Sequence, residues 1–460
     1  MKDKNRELLH WCLQKAKSLG AEATRLNLHI EKSQNIEMRD GQINRCGSEN
    51  GSLLVMTFYK NQREVRLKTD KLYCKKELGK IIRQSLEMAD YLEPDADKGL
   101  AARERKYKGN MDIGCTDPEV FKMDETQLLE WAQRESRYQT LKQEAEKQGL
   151  TLISEVISVG FSYYKSYLYD SDGFEGCREM SGWMTDAEVT IKDSKQNIYN
   201  QGDYDYQVRK EELVAPGNCS QNAFQRCLKR IGSSKCEGFC GCMVVSNERC
   251  NTLVTPLTDA LRAEYIHYDQ SFLNGKLNQK IFPESFSLWD LPHQIGHHSC
   301  LFYDSEGVAT QKRALIEKGA VRHYICSTEM ARKTGLAPTC CNTGQIHIEP
   351  FLHAPAPACK DLQTDKKEIT LQDILSCIQD GIYVTGFNGG NCNALSGDFS
   401  YGIEGFRIRE GKLEEAVSGM VITGNMIDLF SHLFAVGTPP PFWRPNLRVE
   451  PLTSLLSLDL

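Results

Sequence analysis

Leu26-Asn27-Leu28-His29-Ile30-Glu31, with Ile36-Glu37-Met38-Arg39-Asp40-Gly41 close behind it, decides the fold class of this 460-residue chain. Apolar and polar side chains alternate with a period of two, which suits a strand with one face in a core and the other turned away. Asp40-Gly41 is a hairpin signal, because both central residues of a tight two-residue turn need positive φ, which Gly adopts freely and Asp tolerates. Upstream, Lys4 to Leu19 places Leu8, Leu9, Cys12, Ala16 and Leu19 on one helical face, and Gly20 stops it. Downstream, strands are expected over Ser52–Tyr59 and Arg63–Lys68, turning at Asn61. A second helix over Lys75–Tyr91 keeps Leu78, Ile81, Ile82, Ser85 and Ala89 in phase. Helices and antiparallel strands in this order make an α+β unit.

Residues 92–118 dissolve into Pro, Gly, Asp and Lys and read as a linker. Asp124 with Gln127 forms a capping box that opens a long charged helix ending at Gly149. Strands follow at Thr151–Val159, Phe161–Tyr169 and Ala187–Lys192, and Ser220 is placed to cap a helix reaching Ile231. Beyond Cys242 the pattern is one of many short strands separated by Gly and Pro. The division is therefore an N-terminal α+β domain (1–91), a linker (92–118), a middle α+β domain (119–232) and a mainly-β C-terminal domain (233–460).

Composition narrows the function. Hydrophobic residues make up 40% of the chain, enough for a real core, and the net charge of −6 argues against a broad face for nucleic acid. Neither the charged start nor the apolar stretch Gly419–Gly437, interrupted by Asn425, Asp428 and His432, reads as a signal or membrane segment. The 18 cysteines lie in a large chain without an export signal, so reduced cytoplasmic thiols are the expectation.

Local motifs give little chemistry. A zinc peptidase helix needs two His one turn apart with a Glu as base, and no His-Glu dipeptide occurs. His293-Gln294-Ile295-Gly296-His297 imitates the spacing, but Gln294 is no base, and Pro292 and Gly296 oppose a helix. The cluster Cys236, Cys240 and Cys242 lacks zinc-ribbon spacing. Gly386-Phe387-Asn388-Gly389-Gly390 lacks the Lys-Ser/Thr of a phosphate loop and reads as a turn or strand rim.

Larger blocks carry more. Phe302-Tyr303-Asp304-Ser305-Glu306-Gly307-Val308, Ala331-Arg332-Lys333-Thr334-Gly335-Leu336, Asn393-Ala394-Leu395-Ser396-Gly397-Asp398-Phe399-Ser400 and Ile422-Thr423-Gly424-Asn425 resemble the TldD/PmbA family in order and spacing. That family was long described as modulators of DNA gyrase and is now viewed as cytosolic proteases acting on peptides and small unfolded proteins. The TldD kind carries a His-Glu-x-x-x-His zinc helix and a late Cys ligand; the PmbA (TldE) kind lacks both and pairs with it around the active site. The resemblance places the zinc helix near Val254–Tyr265, which contains no His, and the last cysteine is Cys392. Gln345-Ile346-His347-Ile348-Glu349 departs from the Gly-x-His-Asn-Trp of relatives, and Pro439-Pro440-Pro441-Phe442-Trp443 is an unfamiliar tail.

The resemblance thus implies a PmbA/TldE-type subunit of a cytoplasmic metalloprotease complex, with no cofactor on this chain and zinc supplied by a TldD-type partner. Partners would be that subunit or a second copy, and a peptide or unfolded substrate, with neither nucleic acid nor membrane. Gly389, Gly390 and Gly397 are candidates for a strand rim that holds the peptide, and His347 and Asp398 for side chains facing the chamber. Two alternatives stand beside this reading. One is an independent metallopeptidase with a displaced site at His293, His297 and Cys300; the other is a non-catalytic adaptor modulating DNA gyrase.

Overall fold

The computed structural model describes residues 3–72, 74–235, 241–352, 368–438 and 454–458. Cys236, Cys240 and the Pro439–Trp443 tail lie outside them. The architecture is α+β. Helices α1 (Lys4–Ser18) and α2 (Lys75–Ala89) flank strands β1 (Ala23–Arg39), β2 (Gln42–Lys60) and β3 (Arg63–Thr69). Then come α3 (Glu125–Glu135), α4 (Tyr138–Lys147), β4 (Thr151–Asp170), β5 (Glu175–Lys192), β6 (Ile198–Gln207) and α5 (Asn218–Arg230). Both tight turns form as their chemistry requires: φ is +53° and +78° at Asp40 and Gly41, and +51° and +60° at Asn61 and Gln62.

These strands form one six-stranded sheet, ordered β3-β2-β1-β4-β5-β6, so residues on both sides of the 92–118 segment share it. One face is apolar and carries every helix named so far. Leu26, Leu28, Met56, Phe58, Tyr167 and Tyr169 pack with α1 and α2. Ile36, Met38, Phe161 and Trp183 pack with α3, and Leu152, Val189 and Ile191 with α4 and α5. The opposite face presents the alternate, polar residues.

Three expectations needed correction. The strands expected on either side of Gly160 are one strand of 20 residues. β4 pairs with β5 from Thr151 and with β1 from Val156, so both edges are paired around Gly160; a Cβ there would lie 2.7 Å from the Gln34 carbonyl, so the glycine lets β1 approach rather than ending the strand. The long charged helix does open on the Asp124–Gln127 capping box but breaks into α3 and α4, because the Glu155 carboxylate accepts from the Arg137 amide (2.8 Å) and the Ser136 hydroxyl (2.6 Å). Helix α5 begins at Asn218, capped by Gly217 rather than Ser220, the Gly217 amide being held by Glu135 at 2.8 Å.

The C-terminal region contributes β7 (Gly241–Val245), α6 (Asn251–Ala260), α7 (Ala263–His267), β8 (Leu288–Leu291), β9 (Arg313–Glu317), β10 (Ala320–Val321), α8 (Thr328–Thr334), β11 (Gln345–Ile348), β12 (Phe351–Leu352), α9 (Leu371–Ser376), β13 (Asp380–Cys392), β14 (Asp398–Arg409), β15 (Lys412–Asn425), α10 (Met426–Ser431), β16 (Leu433–Val436) and β17 (Ser454–Leu458). They make a four-stranded sheet, β10-β9-β8-β11, and a seven-stranded sheet, β12-β16-β17-β7-β13-β14-β15. One core joins them through Leu257, Leu273, Phe286, Leu288, Ile316, Val384 and Phe430. Strands β13 to β15 are longer than the short strands expected there, 12 to 14 residues each. No helix among the described residues is long and apolar enough to cross a membrane.

Candidate functional site

The polar face of the six-stranded sheet does not end in open solvent. It forms one wall of a cleft of about 530 Å³. Register builds that wall: His29 of β1 lies opposite Ser166 of β4, which lies opposite Arg178 of β5. Asn27, Tyr164, Met180 and Tyr206 complete it. Two glycines make room. A Cβ at Gly182 would strike the Tyr206 hydroxyl, and one at Gly176 would lie 2.8 Å from the Tyr303 ring. Both aromatics therefore lie close against the sheet.

The facing wall comes from the C-terminal region: Arg262 just past α6, then His298, Ser299, Leu301, Tyr303, Asp304 and Ser305, and Asn342 to Gly344. Asp304-Ser305-Glu306-Gly307 is a tight turn with Gly307 at φ +78°, where a side chain would be strained. Asp304 pins it from within, accepting from the amides of Glu306 and Val308 (both 2.9 Å) and of Cys341 (2.8 Å). Glu306 accepts from the Thr328 amide at 3.1 Å and hydroxyl at 2.6 Å. Among the described residues, Asp304, Glu306 and Cys341 form the only group of three potential ligand atoms within 4.8 Å of one another. Their carboxylates are already spent on backbone amides, and the group sits near the Arg25 guanidinium, so it reads as a turn lock.

Burial dominates the electrostatics of the cleft. It lowers the pKa of His29, with Arg66 and Lys68 adding to the effect, and raises those of Tyr164, Tyr206 and Asp304. His298 falls to about 4, through burial and then the Arg178 charge, and its ring packs on Tyr206 with centroids 4.7 Å apart. His297 falls to about 3, through burial and then His298. Both are neutral in the folded state near pH 5, whereas in the unfolded chain they titrate near 6.5. The unfolded state therefore takes up protons as pH drops below 6.5, and the stability each neutral ring contributes is lost toward pH 4 and 3. His298→Gln should reduce the acid-induced loss of unfolding free energy between pH 7 and pH 5 by about 2 kcal/mol. Urea titrations of both proteins at the two pH values test this, and parallel losses would refute it.

The sequence candidates fall elsewhere. His293 is exposed, with Nε2 3.1 Å from the Thr310 hydroxyl. His297 Nδ1 accepts from the Ser299 amide at 3.0 Å. Cys300 is fully buried with Ile113, Cys115 and Val208, which pushes its thiol up to about 11. These three do not converge as a ligand set. Gly389, Gly390, Gly397 and Asp398 do gather, at one end of the β13–β14–β15 ribbon, where β13 bulges between Phe387 and Gly390. Hydrogen bonds from Asn425 and Ser396 hold the exposed Asp398 carboxyl below its usual range. His347 belongs to the other sheet, on β11 opposite Trp289. None of these five lines the cleft. Arg178, Tyr206, Arg262 and Asn342 were missed; the period-two pattern put Asn27 and His29 on the polar face, but nothing local says what that face meets.

Residues 242–453 match the family model described as PmbA/TldA metallopeptidase C-terminal domain. A Bacteroides thetaiotaomicron crystal structure described as a modulator of DNA gyrase superposes at a TM-score of 0.86, with 29% identity over 99% of this chain and 100% of that one. Its C-terminal region is a PmbA/TldD-type domain, and the chain as a whole resembles that family. Metalloprotease PmbA of Escherichia coli O157:H7 is 23% identical over 92% of this chain and 89% of its own length. A PmbA homolog of Buchnera aphidicola is 24% identical, but the match spans 54% of its length. TldE from Thermococcus kodakarensis shares the fold, with a TM-score of 0.78 at 17% identity over 98% of both chains. In this PmbA/TldD-like chain the stretch Val254–Tyr265 covers most of α6 and the start of α7. Its side chains do not fit a zinc ion: it holds no His or Cys, Pro256 sits within α6, and Asp259 is ion-paired to Arg262 Nε at 3.1 Å.

Proposed function

We propose that this chain is the PmbA/TldE-type, non-zinc subunit of a cytoplasmic TldD/TldE-like metalloprotease complex acting on peptides or small unfolded proteins. The observation that carries the reading is α6. The helix at the position of the relatives' zinc helix leads into Arg262, which lines the cleft, so this end of the molecule offers cationic and hydrogen-bonding groups rather than metal ligands. In this reading the chain completes the chamber around zinc held by a TldD-type partner and keeps an extended peptide in place. Asn27, Ser166, Asn342, Tyr164 and Tyr206 supply the amides and hydroxyls that pair with a peptide main chain.

The test is co-purification with a TldD-type subunit, followed by zinc analysis and a peptide-cleavage assay of each chain and of the pair. The expected result is zinc and cleavage only when the partner is present, with cleavage requiring this chain. Stoichiometric zinc and peptide cleavage by this chain alone, both lost in His297→Ala, would establish an independent peptidase. Stable capture of DNA gyrase, with no influence on the partner's proteolysis, would establish an adaptor.

A further inference from the structure

Among the described residues Arg178 is a cation without a counter-ion. It stands on β5 at the end of the row His29–Ser166–Arg178 that faces the cleft, and no carboxylate among the described residues lies within ion-pair distance of it. Its recorded contact is from Nη2 to the weak acceptor Met180 Sδ at 3.0 Å, while Nε is shielded from water and lacks a partner among the described residues. His298 Nε2, also shielded and without a hydrogen-bond partner among the described residues, lines the same cleft. Among the described residues lining it, Asp304 is the only acidic one, and three backbone amides occupy its carboxylate. Arg262 adds a second guanidinium, held by Asp259 through Nε. A half-buried guanidinium left unpaired is costly, and its planar fork matches a carboxylate with two parallel hydrogen bonds.

We propose that Arg178 anchors a carboxylate subsite in this cleft, which takes the free C-terminal carboxylate of a bound peptide. The inference rests on the peptide-holding role above and deepens it. Around the anchor, the Tyr206 hydroxyl and the Asn342 amide offer neutral donors, while Ser166 donates to Asn27 at 3.0 Å and the Tyr164 hydroxyl pairs with His29; Leu168, Met180 and Tyr303 give the last side chain apolar contact. A peptide seated this way would have a defined end in the cleft and run outward from it, so this subunit would set the distance from the C-terminus at which a partner's catalytic centre meets the chain.

Calorimetric titration of the full-length chain tests this with three probes: N-acetyl-tetra-alanine, its C-terminal amide, and N-acetyl-Ala-Ala-Asp-Ala amide. The free acid is expected to bind at least about tenfold tighter than the amide, a difference typical of one lost charge-assisted pairing. Arg178→Met should abolish that preference, and Arg178→Lys should keep part of it, since charge survives and the fork does not. Thermal unfolding checks that each variant is folded, and if Arg178→Met is not, Arg178→Gln takes its place. Equal binding of all three probes would overturn the carboxylate subsite and leave peptide holding intact. Binding of the internal Asp probe as tightly as the free acid would overturn the C-terminal assignment. No binding of any probe would also overturn the inference, while the pair's cleavage assay judges the subunit role separately.

Discussion

Lys106→Met is expected to destabilise the protein by about 3–5 kcal/mol, the usual cost of stranding one member of a buried ion pair. Lys106 and Asp170 have side chains 6% and 1% exposed, with Nζ 2.7 Å from Oδ2. The same ammonium donates to the Glu306 carbonyl at 2.6 Å and lies over the Phe174 ring. It therefore ties three distant segments together: the stretch read as a linker, the end of β4, and the turn that borders the cleft. Methionine fills much of the lysine stem's volume but leaves the Asp170 charge buried and unpaired. Adding Asp170→Asn removes that charge while keeping an acceptor for the amides of Asp172 and Phe174, so the double variant should regain most of the loss. Urea unfolding decides the matter. A single-variant loss below 1 kcal/mol, or no recovery in the double variant, would mean that the pair is solvated rather than buried.

Trp183→Ala should cost about as much, roughly 3–5 kcal/mol, through the cavity left by a large buried ring. Trp183 is 0% exposed and meets Trp131 and Phe161 with ring centroids 5.9 and 5.5 Å away. Its Nε1 donates to Asp117 Oδ2 at 2.8 Å, and that oxygen also accepts from the Lys210 amide at 3.0 Å. Trp183→Phe keeps most of the ring volume and loses the hydrogen bond, so a smaller penalty of about 1–3 kcal/mol is expected. Chemical denaturation of both variants separates packing from hydrogen bonding. Equal penalties would show that the Asp117 bond, not the ring, supplies the stability. Because Asp117 belongs to the segment between α2 and α3, this bond also fixes how that segment crosses the sheet's helix-covered side.

The secondary structure was legible wherever a local interaction decides it. The Asp40-Gly41 and Asn61 turns, the Asp124–Gln127 capping box and the α1 and α2 faces all depend on residues within one turn of each other. The two helix errors share a different cause. Glu155 reaches from β4 to take the Arg137 amide and split one helix into two, and Glu135 takes the Gly217 amide and moves the start of another. In both, a distant carboxylate captured a backbone donor, which no window of sequence contains.

The same boundary runs through the candidate site. Motif order and the absence of His from Val254–Tyr265 pointed to the family and to the kind of subunit proposed, because ligand chemistry depends on residue identity. Alternation along β1 likewise assigned Asn27 and His29 to a polar face, since the pleat has a period of two. That Ser166 and Arg178 extend this row, and that Arg262, His298 and Asn342 close over it, came only from strand register and from the docking of the C-terminal loops. The β1–β4 pairing joins residues more than a hundred positions apart, and the loops are seated by the complementarity of two folded surfaces, which local preference along the chain does not encode.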